Sequence, residues 1–460
     1  MPTLTFIEHN GTHHQVKGEV GQSVMQAATF ASVPGLPPIA AEPVAAPLFM
    51  TLASVVIVGA GQAGFQVAAS LRQEGYEGYI TLIGNEPGLP YQRPPLSKAY
   101  LLGKIQENNL LFRPAEFYAT QRIELLHDPA TAIDRLNRRV VLASGTALSY
   151  DHLILATGAH NRPLPVPGAE LPHVFGIKTK ADADALAPLA KQARNVVVVG
   201  AGFIGLEFAA VAAAQGAQVH VLELGERPMA RAVSREMSEL FRQAHEQWGV
   251  HFDFRQGLGR ILDDNGKVCG VQTADGRTLP ADLVVFGIGV IPNAQLATEA
   301  GLDIENGIKV DAHLLTSDPQ ISALGDVASF PCVQNEEQST RLESVQNAID
   351  QARTVAARLM GKPSPYAALP WFWTDQGDLK LQIAGLSNGH DSTVVLGSAQ
   401  DRQLSVLCFR NDRLVAVESC NRPGDHMAAR KILARAPRLT AAQAAAEGFD
   451  LKTWEAANRD

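Results

Sequence analysis

Cysteine is scarce in this chain and poorly placed for chemistry. Four occur in 460 residues, Cys269, Cys332, Cys408 and Cys420, and none precedes Cys269. Their spacing fits neither C-x-x-C nor a zinc ligand set, so buried or inert reduced thiols are expected and no metal site is read. Long apolar runs are missing too, since no uninterrupted stretch approaches the roughly 20 residues of a membrane helix. The opening MPTLTFIEHN has no basic segment followed by an apolar core, so no secretory signal is read and the cytoplasm is the expected location. Positive charge is not in surplus either. A formal net charge of -8 argues against a dedicated nucleic-acid binder.

What is present is an ordinary globular composition, 46% hydrophobic and 19% charged, over a length that suggests about three domains. The chain is organised around SVVIVGAGQAGFQVAASL, residues 54–71. Its four apolar residues 55–58 are β-branched throughout, which suits a strand buried on both faces of a parallel sheet. Gly59, Gly61 and Gly64 follow in G-x-G-x-x-G spacing, and helical periodicity begins at Phe65. The order strand, tight turn, helix start is the one a dinucleotide needs. The first glycine allows the turn, the second lets backbone approach a pyrophosphate, and the third lets the helix pack close to the strand. One such match is weak. Here it recurs: 196–199 repeats the strand, Gly200, Gly202 and Gly205 repeat the spacing, and 204–214 repeats the helix. Two dinucleotide sites imply two dinucleotides.

Upstream of these loops, residues 3–7 alternate, Asn10-Gly11 is turn-prone, a second extended piece follows, and 22–29 reads as a short helix. The order resembles the opening of an adrenodoxin-type two-iron ferredoxin. That family would supply cluster cysteines next, whereas this chain enters PGLPPIAAEPVAAP, so residues 1–49 are read as a ferredoxin-like remnant with a Pro/Ala-rich linker over 33–47. Met50 is a candidate start of the functional unit.

After the first loop, a strand over 79–83 ends in Gly84-Asn85-Glu86, where a carboxylate or amide is expected at the adenosine ribose; Asn85 and Glu86 both remain candidates. Next come Tyr91-Gln92-Arg93-Pro94-Pro95-Leu96-Ser97-Lys98, then Leu155-Ala156-Thr157-Gly158, the proline-rich crossover Asn161 to Gly168, and Ile321 to Asp326, reading ISALGD. Glu343 to Ala348 opens a helix running to about Leu359. Beyond Pro370 lies PWFWTDQ, then short alternating strands over 380–383, 394–397, 404–409 and 414–418.

With these motifs the chain resembles FAD-dependent, NADH-oxidising ferredoxin reductases of the putidaredoxin and palustrisredoxin reductase type, which serve haem monooxygenases and aromatic-ring dioxygenases. The likeness runs from about Met50 to about Lys452. It implies an α/β protein with two Rossmann-like domains in the glutathione-reductase arrangement and a C-terminal α+β domain. The domains are an FAD-binding one over 50–164 and 291–368, an NAD-binding one over 165–290 and a C-terminal one over 369–460. It places Lys98 beside the flavin and pairs it with Glu207 at the nicotinamide–flavin junction. Phe203 is implied as the aromatic residue that yields to the nicotinamide, and Trp373 as the electron exit. The same resemblance implies flavin contacts at Ala130, Thr157, Gly158 and Lys178, with Asp326 on the ribityl chain and Val345 at the pyrimidine edge.

Glu223 stands 21 residues beyond Gly202 at the end of the strand 218–222, where a carboxylate accepts from both ribose hydroxyls of NAD and repels a 2′-phosphate. NADH is therefore expected, although Arg227 and Arg231 lie close. Disulfide reductases of this architecture need a C-x4-C pair beside the flavin, and the sequence has none. Electrons must then leave the chain, and a small two-iron ferredoxin feeding an oxygenase is the expected acceptor, with no nucleic-acid or membrane partner. A redox sensor resembling apoptosis-inducing factor, or a rubredoxin reductase, is the competing expectation.

Overall fold

The structure, a computed structural model, describes residues 3–7, 13–17, 52–435 and 438–459. It separates into two units, Met1–Leu52 and Ala53–Asp460. In the first, strands Thr3–Ile7 and His13–Lys17 pair antiparallel with Thr3 opposite Lys17. The helix expected over 22–29 and the linker over 33–47 lie outside the described residues.

The second unit contains two five-stranded parallel sheets of one plan. The first orders its strands Ile321–Ala323, His152–Leu155, Ser54–Val58, Tyr79–Ile83 and Ile123–Leu126. The other runs Val174–Gly176, Leu283–Phe286, Asn195–Val199, Gln218–Glu223 and Val250–Phe254. In each, the strand that leads into the glycine loop is central and has neighbours on both sides. Its β-branched residues are accordingly buried, Val55 to Val58 at 5% exposure or less. Helices Gln62–Gln73 and Phe203–Ala214 follow the two loops. The chain passes between the sheets through Ala159–Asn161 and Val290–Pro292, which pair antiparallel.

Each sheet also carries a three-stranded antiparallel flap that the apolar pattern does not announce, Ala130–Asp134 with Arg139–Leu142 and Ala147–Ser149, and Leu258–Asp264 with Lys267–Thr273 and Thr278–Pro280. The apolar run that begins at Leu283 forms strand only to Phe286, because Gly287-Ile288-Gly289 turns away, with Gly289 at φ +99°.

The C-terminal sheet is antiparallel, ordered Trp371–Gln376, Leu379–Gly385, Arg413–Cys420, Gln403–Arg410 and Ser392–Ser398, with helices Pro423–Ala434 and Leu451–Ala457 after it. Four of these strands match expectation and extend further at both ends, and the fifth is the PWFWTDQ segment itself. Buried Leu96, Leu206, Phe208, Leu381 and Val406 belong to one apolar core, so the two parallel-sheet regions and the C-terminal sheet pack against each other. Among the described residues no helix is long and apolar enough to cross a membrane.

Candidate functional site: two glycine loops and the junction between them

A Cβ built on each loop glycine separates what the chain requires from what a ligand would require. Gly59 sits at φ +111°, and a Cβ there would lie 2.2 Å from the Ala156 carbonyl oxygen; at Gly64 it would lie 1.8 Å from that of Gly59. The second loop repeats this, Gly200 at φ +96° with the Gly287 oxygen 2.6 Å away, and Gly205 with the Gly200 oxygen 2.2 Å away. The middle glycines differ. A Cβ on Gly61 would meet nothing within 4 Å, and one on Gly202 only the Gly287 oxygen at 3.8 Å. Protein packing therefore demands the outer glycines and leaves the middle ones facing open space. Gly61 and Gly202 are also the N-caps of their helices, without a side-chain cap and without an acid in the first turn. Bare backbone and unsatisfied amides at a positive dipole end fit a pyrophosphate at both loops.

Around the first loop, the two ribose candidates part company. Glu86 is engaged by the Arg93 guanidinium and the Tyr91 hydroxyl, whereas the Asn85 side chain is exposed. Burial pushes the Tyr91 phenol up to about 12, so it remains a donor to Glu86. Thr157 Oγ1 donates to the Asn293 carbonyl at 2.7 Å and Asn293 Nδ2 returns a bond to the Thr157 carbonyl at 2.8 Å, tying the two crossings together. Gly158 follows at φ +66° with open space beside it. Asp326 lies in the turn after Ile321–Ala323, its carboxylate 3.8 Å from Lys178 Nζ. Val345 is the first residue of helix Val345–Leu359, which Ser344 caps by accepting from the Asn347 amide at 3.0 Å. Ala130 opens its flap strand, half-buried opposite Leu142.

In the second loop, Glu223 accepts from the Ala201 amide at 2.7 Å and the Gly225 amide at 2.6 Å, so the acid braces the loop it follows. Arg227 is committed to the carbonyls of Val233, Ser234 and Ala230, which removes it as a free phosphate ligand; Arg231 is exposed.

Between the loops, Lys98 Nζ and Glu207 Oε1 meet at 2.9 Å. Lys98 ends the short turn Pro94–Ser97 and Glu207 is the one carboxylate of helix Phe203–Ala214, so the contact joins the two parallel-sheet regions. Two further donors, which sequence reasoning missed, hold Glu207: Ser97 Oγ and, from the C-terminal sheet, Thr374 Oγ1 at 2.6 Å. Ser97 precedes Lys98 and Thr374 follows Trp373, so only their adjacency to chosen residues could have suggested them. Phe203 is half-buried at the helix start, against the shared core. Trp373 is half-buried, its ring centroid 5.4 Å from that of Trp371, with Arg430 4.9 Å above the Trp371 ring.

Of the thiols expected to be buried or inert, Cys332, Cys408 and Cys420 are buried, and burial pushes Cys420 up to about 12, while Cys269 is exposed. Among the described residues no cluster of His, Cys, Asp or Glu is suited to a metal.

Two phosphate-ready loops with a partly buried lysine–carboxylate contact between them define an oxidoreductase that works with two dinucleotides. Residues 53–352 match the pyridine nucleotide-disulphide oxidoreductase family and 371–454 the reductase C-terminal domain, and the chain belongs to that family. It is 51% identical over 408 residues to rhodocoxin reductase of Rhodococcus erythropolis, covering 88% of this chain and 95% of that protein. Among solved structures it resembles the ferredoxin reductase for the CYP199A2 system from Rhodopseudomonas palustris, with TM-score 0.86 and 51% identity over 88% of this chain and 100% of that one. The covalent putidaredoxin reductase–putidaredoxin complex also matches, with TM-score 0.86 and 39% identity over 88% and 99%.

Proposed function

We propose that this protein is an NADH-dependent ferredoxin reductase that carries FAD in the first loop and admits NADH to the second, working in the cytoplasm. The observation that carries this reading is the Lys98–Glu207 contact between two glycine loops whose middle positions are left bare. The chemistry FAD supplies is the conversion of a hydride from NADH into single electrons, which an iron–sulfur cluster takes one at a time. Gly59, Gly61 and Gly64 with the helix start at Gln62 hold the flavin pyrophosphate. Asn85, with its side chain exposed, serves the adenosine ribose, while Glu86 keeps Arg93 and Tyr91 in place. Asp326 and Lys178 serve the ribityl and ring region. In the second loop, Glu223 is aimed and braced for the ribose of NADH. Lys98 places a positive charge at the junction, Glu207 fixes it, and Phe203 shields the site from water until nicotinamide enters.

The sequence has no cysteine pair to take electrons internally, so they leave through the C-terminal sheet, with Trp373 as the exit, to a transiently docked two-iron ferredoxin and on to an oxygenase. The similarity to a reductase solved in complex with putidaredoxin supports this. Mixing the purified protein anaerobically with NADH and a two-iron ferredoxin, with cytochrome c as final acceptor, tests it. Rapid cytochrome c reduction that depends on ferredoxin is expected. Flavin reduction with no onward transfer would favour a sensor, and faster transfer to rubredoxin would replace the acceptor. Lys98→Met should slow NADH-driven flavin reduction by about a hundredfold, read by stopped-flow absorbance.

A further inference from the structure

We propose that Thr374 is a positioning residue for the Lys98–Glu207 pair, holding the Glu207 carboxylate at the end of a buried, one-directional chain of hydrogen bonds that starts at His245. The proposal rests on the reading of that pair as the junction of the two nucleotide sites. Four side chains form the line, and all are enclosed: Glu207 is 4% exposed, Thr374 1%, Gln376 1% and His245 0%. His245 Nε2 lies 2.8 Å from Gln376 Oε1, Gln376 Nε2 lies 3.2 Å from Thr374 Oγ1, and Thr374 Oγ1 lies 2.6 Å from Glu207 Oε1.

The chemistry of the ends fixes the direction. A carboxylate oxygen only accepts, so the Thr374 hydroxyl donates to it and uses a lone pair for the Gln376 amide nitrogen. The Gln376 carbonyl then accepts from His245, which must carry its proton on Nε2. Each donor points toward Glu207, and donors aligned in this way polarise one another and favour negative charge at the terminus. Burial holds the His245 pKa at about 4, so the ring is neutral at physiological pH and the line contains no competing cation.

The arrangement is not a path for proton exit. His245 is fully enclosed and its Nδ1 has no partner among the described residues, so the line has no solvent end there. What it fixes is geometry. Glu207 Oε1 takes both Thr374 and Lys98, the latter at 2.9 Å, while Ser97 holds the other oxygen. Without the hydroxyl, the oxygen that orients Lys98 has lost its anchor in the C-terminal sheet. The strand Trp371–Gln376 alternates faces, so Phe372, Thr374 and Gln376 point inward while Trp371, Trp373 and Asp375 point outward. Trp373 and Asp375 line a groove of about 420 Å³ with Lys380 and Gln382. One strand thus presents the electron-exit face and anchors the carboxylate behind it.

Thr374→Val keeps the side-chain shape and removes the hydroxyl. In the flavin-loaded enzyme it should lower the limiting rate of flavin reduction by NADH about tenfold, with NADH affinity within about twofold of wild type, and Thr374→Ser should restore the rate. Gln376→Met, one step back, should cost about threefold. A readout without turnover is the melting temperature of the same holoenzymes: Thr374→Val and Glu207→Gln should each lower it, and the double variant should melt no lower than the weaker single. Wild-type reduction by Thr374→Val, a Thr374→Ser as slow as the valine variant, or additive melting losses would each overturn the proposal. Glu207→Gln separates the failures. If it reduces flavin at the wild-type rate, the reading of the pair has failed; if it is slow while Thr374→Val is fast, only the role of Thr374 has.

Discussion

The two glycine loops share one steric plan and differ in what secures them. In each, the first glycine turns under the carbonyl that ends the neighbouring strand, Ala156 in one and Gly287 in the other, and the third lets its helix sit on the turn. The residues after the second strand then diverge. The second loop is braced from within, by Glu223 bonded to the amides of Ala201 and Gly225. The first is secured from outside: Glu86 gathers Arg93 and Tyr91, Arg93 reaches the Lys178 carbonyl at 2.7 Å, and helix Val345–Leu359 packs on helix Gln62–Gln73. Beside the second loop Leu224 is 79% exposed and Ile204 38%. A loop covered by distant segments suits a retained group, and a self-braced loop with an open flank suits one that exchanges. The motif specifies the phosphate cradle, and its surroundings set how long a ligand stays.

The largest effects should come from the outer glycines. Gly64→Ala puts a methyl 1.8 Å from a carbonyl of its own turn, and overpacking of that kind costs about 1–3 kcal/mol or more. Its holoenzyme should melt about 5 °C lower or worse, with little flavin bound. Gly61→Ala, which meets no protein atom, should melt near the wild-type temperature when stripped of flavin yet retain far less flavin per chain by absorbance. If both variants unfold alike, the distinction between chain-demanded and ligand-demanded glycines is wrong. Glu223 comes next. Glu223→Gln cannot accept both amides, and hydrogen bonds to a charged group are worth about 1.5–3 kcal/mol, so KM for NADH should rise about tenfold while bound flavin is unchanged. Glu223→Arg should raise KM for both nicotinamides and move the ratio toward NADPH; unchanged selectivity in steady-state assays would show that the acid is only a brace.

How much of this was legible without coordinates follows from how local each signal is. Both glycine loops, their flanking strands and helices, and four of the C-terminal strands were readable because burial on two faces or strict alternation is written within a few residues. The flaps at 130–149 and 258–280 were not, since their half-exposed strands have a mixed pattern. Lys98 and Glu207 were named through resemblance, and nothing within their own segments predicts that they meet. The same holds for the contacts of Thr374 with Glu207 and of Gln376 with His245, which span 167 and 131 residues of sequence. The proposed choice of Asn85 over Glu86 rests on the Arg93–Glu86 contact, which joins residues that no local pattern pairs. Short segments encode periodicity and caps well, whereas pairings across domains depend on how the sheets dock.

The smallest expected effect compares the two sheets by acid titration. His152, on the return strand of the first sheet, lies 2.7 Å from Ser322 Oγ and 3.5 Å from Arg358, and burial together with Arg358 holds its pKa at about 3. His245, in the helix that covers the second sheet, is held at about 4 by burial. Both lie below the ordinary value near 6.5. Between those limits the unfolded chain binds protons that the folded chain refuses, so protonation favours unfolding. The stabilisation is complete above pH 6.5 and is lost as pH falls toward the folded values, by at most about 1.4 kcal/mol per pH unit for each histidine. Urea midpoints should therefore be flat above pH 6.5 and decline down to pH 4.5, before most carboxylates titrate. His152→Gln should flatten part of that decline while leaving the Glu207 line intact. A decline of wild-type steepness in that variant would mean that the first sheet contributes nothing and that the acid sensitivity belongs to His245 or to His426 of helix Pro423–Ala434, which burial also holds at about 4.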